Sequence, residues 1–139
     1  MIYVDASALV KLIIAEAESS DLVAWMTDRL LVSSAIAGVE VRRAVGLARS
    51  VEPGLASPAV ARSLLSSAEE VLGRVTLLVI EEAVLERAAA VPPPMLRSID
   101  AVHLATALSL RSPEGFVTYD RRLGEAARAA GLAVFSPGA

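Results

Sequence analysis

The run Ile2-Tyr3-Val4 is β-rich and apolar, and it stops abruptly at Asp5, a helix-capping residue type, with Ser7 close behind. A buried strand turning straight into a helix accounts for both. The same order of pieces recurs along the chain. Short apolar runs at Leu30-Leu31-Val32, Val75 to Ile80, Gly115 to Thr118 and Leu132 to Phe135 alternate with segments of helical periodicity. Strands alternating with helices in this way form a parallel sheet covered on both faces. In such sheets ligands bind beyond the carboxyl ends of the strands, so an acid at that edge is either a cap or part of a site.

Local punctuation places the helices. Ser7 to about Ala15 reads as the first, and Ser19-Ser20 opens a second whose Leu22, Val23, Met26 and Leu30 share a face. The two make an αα-hairpin, with Trp25 packing at the edge of its apolar face. Ser33-Ser34 leads into a long helix to about Arg49, broken at Val51-Glu52-Pro53-Gly54. Ser57-Pro58 is a cap followed by proline at the first helical position, and it opens a helix running to Gly73. The uninterrupted run Val75 to Ile80 is expected to be the central strand. A helix from Glu81 to Val91 stops at three prolines. Ser98 is expected to cap the helix from Ile99 to about Leu110, and Asp120 caps a last long helix closed by Gly131.

A chain of 139 residues is expected to form one domain, residues 1–139. Its hydrophobic fraction of 55% exceeds what a small monomer hides comfortably, which points to a second chain against part of the surface. The net charge of −3 provides no general basic field, so any contact with nucleic acid must be local. Lys11 is the only lysine, which leaves the guanidinium groups of Arg42, Arg43, Arg49, Arg97, Arg121 and Arg122 as candidate phosphate contacts. The absence of cysteine removes disulfides, thiolate metal sites and cysteine nucleophiles together. No leader pattern is visible, and no segment approaches the roughly 18 apolar residues of a membrane span, so a cytoplasmic location without membrane contact is expected.

The chemistry that remains uses oxygen, and four acids stand where a lone acid is awkward. Asp5 and Asp120 follow the first and fourth strands, Asp100 lies in the first turn of a helix, and Glu40 shares a helix face with Ile36, Ala37, Ala44 and Leu47. Each has an ordinary explanation. Asp5 and Asp120 are good caps, the helix macrodipole favours Asp100, and Glu40 has Arg43 three residues on. Taken together they ask for more. If the first and fourth strands are neighbours, the acids gather at one edge of the sheet, where two carboxylates about 4 Å apart repel by about 4 kcal/mol at an effective dielectric of about 20. A divalent cation relieves that repulsion, and all-oxygen ligation selects Mg²⁺ or Mn²⁺ over zinc.

The segments IYVDASALVKL, SAIAGVEVRRA, RSIDAVHLATAL and FVTYDRRLGEAA resemble the successive motifs of PIN-domain ribonucleases, and the compact length resembles VapC-type toxins of bacterial toxin-antitoxin pairs. The likeness runs from Ile2 to about Phe135. It implies a PIN-like three-layer α/β/α sandwich around a mainly parallel sheet of four to five strands. It also implies an endoribonuclease in which Asp5, Glu40, Asp100 and Asp120 hold Mg²⁺ or Mn²⁺ and a metal-activated water attacks an RNA phosphodiester, inhibiting translation. Ser7 and Thr118 match hydroxyl positions near the acids, where they would orient a ligand or water or simply cap helices. A homodimer and a VapB-type antitoxin that blocks the site complete the implication.

His103, the only histidine, falls one turn after Asp100 among apolar neighbours and reads first as a packed, hydrogen-bonded core residue. The pair Arg121-Arg122 directly follows Asp120 and is the favoured RNA contact. Two other classes compete. A phosphoacceptor receiver domain needs adjacent acids after the first strand and a late lysine, whereas Asp5 stands alone and the one lysine is Lys11. A catalytically inactive PIN domain serving as a binding or repressor subunit is the remaining alternative, opposed by the presence of all four acids.

Overall fold

The computed structural model describes residues 1–139. Strand β1 (Ile2–Val4) passes into helices α1 (Ala6–Lys11) and α2 (Ser19–Met26), and β2 (Leu31–Ser34) into α3 (Ile36–Val51). After a 3-10 turn at Pro53–Leu55 come α4 (Pro58–Gly73), β3 (Val75–Leu78), α5 (Glu82–Ala90) and α6 (Ser98–Ser109). The chain finishes with β4 (Gly115–Val117), α7 (Arg121–Ala129) and β5 (Val134–Phe135). All four strand pairings are parallel, in the order β3-β2-β1-β4-β5. From β1 the chain therefore builds outward in one direction to β3, then returns and builds in the other through β4 and β5. The reversal leaves a crevice between β1 and β4 at their carboxyl ends.

Side-chain alternation along β1 divides the core in two. Ile2 and Val4 face α1 to α4 in a cluster containing Leu9, Leu22, Val41 and Leu72, whereas Tyr3 faces α6 and α7 in a cluster with Leu104, Phe116 and Leu123. The result is the expected three-layer sandwich on a five-stranded parallel sheet. Helix α4 begins as its signals dictate, with Ser57 accepting the Val60 N–H at 3.3 Å and Pro58 in the first turn. No helix is long and apolar enough to cross a membrane.

Several local expectations are corrected. The run from Val75 is not central: β3 lies at the edge of the sheet and pairs only with β2. Val75 and Leu77 are apolar because they meet the α1–α4 cluster, and Val79, beyond the strand, is 77% exposed. Helix α1 ends at Lys11 rather than near Ala15, because the Ser19 hydroxyl donates to the Lys11 carbonyl at 2.6 Å and turns the chain. Of the four residues expected to share a face in the second helix, Leu22 and Met26 are buried, while Val23 and Leu30 are exposed. Ser98 is the first residue of α6 and not its cap; extended Arg97 holds that place without a side-chain bond.

Candidate active site

Asp5 leaves the end of β1 as the N-cap of α1 and is 3% exposed. Its Oδ1 accepts the Ala8 N–H at 3.1 Å and the Ser7 hydroxyl at 2.7 Å; its Oδ2 accepts the Thr118 hydroxyl at 2.6 Å. The two hydroxyls also reach onward. Thr118 Oγ1 accepts the Asp120 N–H at 3.0 Å, and Ser7 Oγ accepts the Tyr119 N–H at 2.9 Å. These bonds span the crevice between β1 and β4, because β1 and β4 pair in register up to Val4 and Val117. Burial pushes the Asp5 carboxyl above its ordinary pKa, against the pull of the two hydroxyls, nearby His103 and the Ala8 N–H.

Asp120 caps α7, accepting the Leu123 N–H at 2.9 Å. Asp100 stands in the first turn of α6, where a negative charge suits the helix N-terminus. The two acids line a cavity of about 280 Å³ that also meets Arg97, Arg121 and Arg122. Partial burial, then the charge of Asp120, raises the Asp100 pKa; Glu40 adds to this, and Arg97 and His103 oppose it. Asp100 thus feels two further members of the predicted set.

Glu40 reaches the region from α3, where its Oε2 lies 2.6 Å from His103 Nε2. The pairing with Arg43 suggested by their spacing does not form. Arg42 instead makes two bonds of 2.9 Å to Glu69. Glu40 does not point into the core either. The buried stripe of α3 is Ala37, Val41 and Val45, and Leu47, which shares the Glu40 face, is 65% exposed. Glu40 looks across to α6. His103 is buried, as its apolar neighbours suggest, and its Nδ1 lies 2.8 Å from the Tyr3 hydroxyl. The proposed RNA contacts Arg121 and Arg122 are both exposed and both line the cavity, and Arg121 also bonds Glu125 at 2.9 Å.

Asp5, Ser7, Thr118 and Asp120 are therefore joined by hydrogen bonds, and Asp100 is joined to Asp120 and Glu40 through charge. No three Asp, Glu or His side chains close into a ready-made metal cage. The donor chemistry nonetheless fits a hard divalent ion: the groups are carboxylates, and Asp100 and Asp120 line one cavity. Tyr3 and the link from His103 to Glu40 escaped the sequence, because Tyr3 lies in an apolar strand and Glu40 is 63 residues from His103.

The raised pKa values have a direct consequence for the metal-free protein. Because Asp5 and Asp100 hold their protons more tightly folded than unfolded, their contribution to stability is present at low pH and lost as pH rises through the folded values. In chelator, the melting temperature is expected to rise as pH falls from neutral toward the onset of general acid unfolding. Calorimetry across that window checks it. A profile that only falls would mean the two acids ionise as readily folded as unfolded.

A PIN domain family model matches residues 2–129. Ribonuclease VapC35 of Mycobacterium tuberculosis is 46% identical over 145 residues, covering 99% of this chain and 98% of the relative. Ribonuclease VapC47 of the same species is 39% identical over 145 residues, covering all of this chain and 98% of the relative. The crystal structure of M. tuberculosis VapC20, described as a sarcin-ricin loop cleaving toxin, superposes with a TM-score of 0.69 at 16% identity. That alignment covers 99% of this chain and 100% of VapC20, a likeness of fold.

Proposed function

The chain belongs to the PIN-domain family, among its VapC-type ribonucleases, and from this premise we propose that it is an Mg²⁺- or Mn²⁺-dependent endoribonuclease and the toxin of a toxin-antitoxin pair. In this reading residues 1–139 act as one domain in the cytoplasm, and cleavage inhibits translation. Asp5, Glu40, Asp100 and Asp120 would hold the ion. The observation that carries it is the cavity lined by Asp100 and Asp120 together with Arg97, Arg121 and Arg122.

Bound there, the ion supplies Lewis acidity toward phosphoryl oxygens and a water of lowered pKa. The chain's own residues do the rest. Ser7 and Thr118 fix both oxygens of Asp5, so that carboxylate cannot rotate. Asp120 is pinned at the start of α7 by its capping bond. Arg97, Arg121 and Arg122 offer guanidinium groups to the RNA backbone on a chain of net negative charge. Exposed Val39, Leu47, Val51, Val79 and Met95 support contact with other chains, a second copy and a VapB-type antitoxin.

Incubating purified, antitoxin-free protein with total cellular RNA in Mg²⁺ or Mn²⁺ tests the reading. Discrete fragments that vanish with chelator are expected. Fragments unaffected by chelator would remove the metal from the proposal, and no fragments beside clear metal binding would favour the inactive-subunit alternative.

A further inference from the structure

We propose that His103 is a positioning residue for the ribonuclease reaction: anchored through Tyr3 to the backbone of β2, it holds the Glu40 carboxylate in its working orientation. The inference rests on the reading of Glu40 as one of the site acids. A line of hydrogen bonds carries it. The Ser34 N–H donates to Tyr3 Oη at 3.1 Å, Tyr3 Oη lies 2.8 Å from His103 Nδ1, and His103 Nε2 lies 2.6 Å from Glu40 Oε2.

A carboxylate only accepts, so Nε2 carries the hydrogen in the bond to Glu40. Tyr3 Oη accepts from Ser34 and shares its second bond with Nδ1, so the ring is held on both nitrogens between the backbone of β2 and the carboxylate. The imidazole is 1% exposed and Tyr3 is fully buried. Tyr3 meets the imidazole edge-on at 5.9 Å and stacks on Phe116 at 5.1 Å, so neither ring can swing aside.

Glu40 differs in every respect. Its side chain is 25% exposed, and His103 is its sole hydrogen-bond partner. A glutamate so placed would sample many rotamers without that partner. The bond to His103 gives one orientation. It also explains a buried polar ring on a helix whose other inward residues are alanine, leucine and threonine, a place that packing alone would fill with an aliphatic side chain.

The test compares His103→Gln, whose amide nitrogen can stand near the place of Nε2, with His103→Asn, which is too short to reach Glu40. Both remove the ring, so both carry its structural cost. His103→Asn is expected to lower kcat about 10–100-fold with KM for RNA little changed, and to weaken binding of Mn²⁺ alone, measured by calorimetry, by a similar factor. His103→Gln is expected to recover most of both losses. Tyr3→Phe keeps the stacking and removes the hydroxyl, and it serves where the histidine variants fold poorly. It is expected to lower kcat and Mn²⁺ affinity several-fold. Equal effects of Gln and Asn that merely follow melting temperature, or a Tyr3→Phe protein with unchanged kcat and Mn²⁺ affinity, would overturn the inference and leave His103 as packing. A parent protein that neither cleaves RNA nor binds Mn²⁺ would instead remove the proposed function, and the inference with it.

Discussion

Asp100→Asn is expected to lower RNA cleavage by about 10²–10³-fold, the range seen when one preorganised electrostatic group is removed from an active site, while leaving the metal-free protein at least as stable as the parent at pH 7. The two halves have one cause. The Asp100 carboxylate is held above its ordinary pKa by partial burial and by Asp120 and Glu40, and no hydrogen bond from the chain offsets that cost. An isosteric amide relieves the repulsion and removes the charge a cation needs. The stability gain is small, because the group is only partly buried and solvent screens it. Cleavage of one RNA and a melting curve in chelator, both on the same preparation, read the two effects. A folded mutant with undiminished cleavage would remove Asp100 from the site.

At Asp5 the balance is reversed. Asp5→Ala is expected to destabilise the fold by about 2–4 kcal/mol, since it removes a helix cap and strands two hydroxyl donors and one N–H. That corresponds to a fall in melting temperature of roughly 10 °C. The lost partners are Ala8 N–H, Ser7 Oγ and Thr118 Oγ1, at 3.1, 2.7 and 2.6 Å. Asp5→Asn keeps the Oδ1 acceptor, and loss of the buried charge offsets the poorer bond to Thr118, so a metal-free stability close to the parent is expected. Urea unfolding of the three proteins is expected to leave Ala well below the parent and Asn. An alanine variant as stable as the parent would mean that the bonds across the β1–β4 crevice contribute nothing.

What the sequence made legible is what short-range rules govern. The Ser57-Pro58 start of α4 and the Asp120 cap follow from residue type and spacing, and the strand–helix alternation carries the parallel sheet. The adjacency of β1 and β4 was a condition on the acids gathering, and the sheet order meets it. The rank of β3 in the sheet was not legible. An apolar β-rich run has the same appearance in a centre strand as in an edge strand whose side chains lie under helices. Helix ends were misjudged where a distant group intervenes, as Ser19 does at the Lys11 carbonyl. The partner of Glu40 was hidden for the same reason. Helical spacing offered Arg43, and the fold supplied His103 from another layer.

The burial of Asp5 beneath its three donors has a consequence for mutants in a living cell. Under the proposed function a cell could lose the toxin by two routes: substitutions at a partly buried acid such as Asp100 would leave a folded protein that still occupies an antitoxin, whereas Asp5→Ala would enlarge the unfolded fraction on which proteases act. The first kind keeps the toxin's abundance and spoils its chemistry. The second would lower abundance and free antitoxin as well, so two inactivating changes in one crevice would leave the cell with opposite amounts of unbound antitoxin.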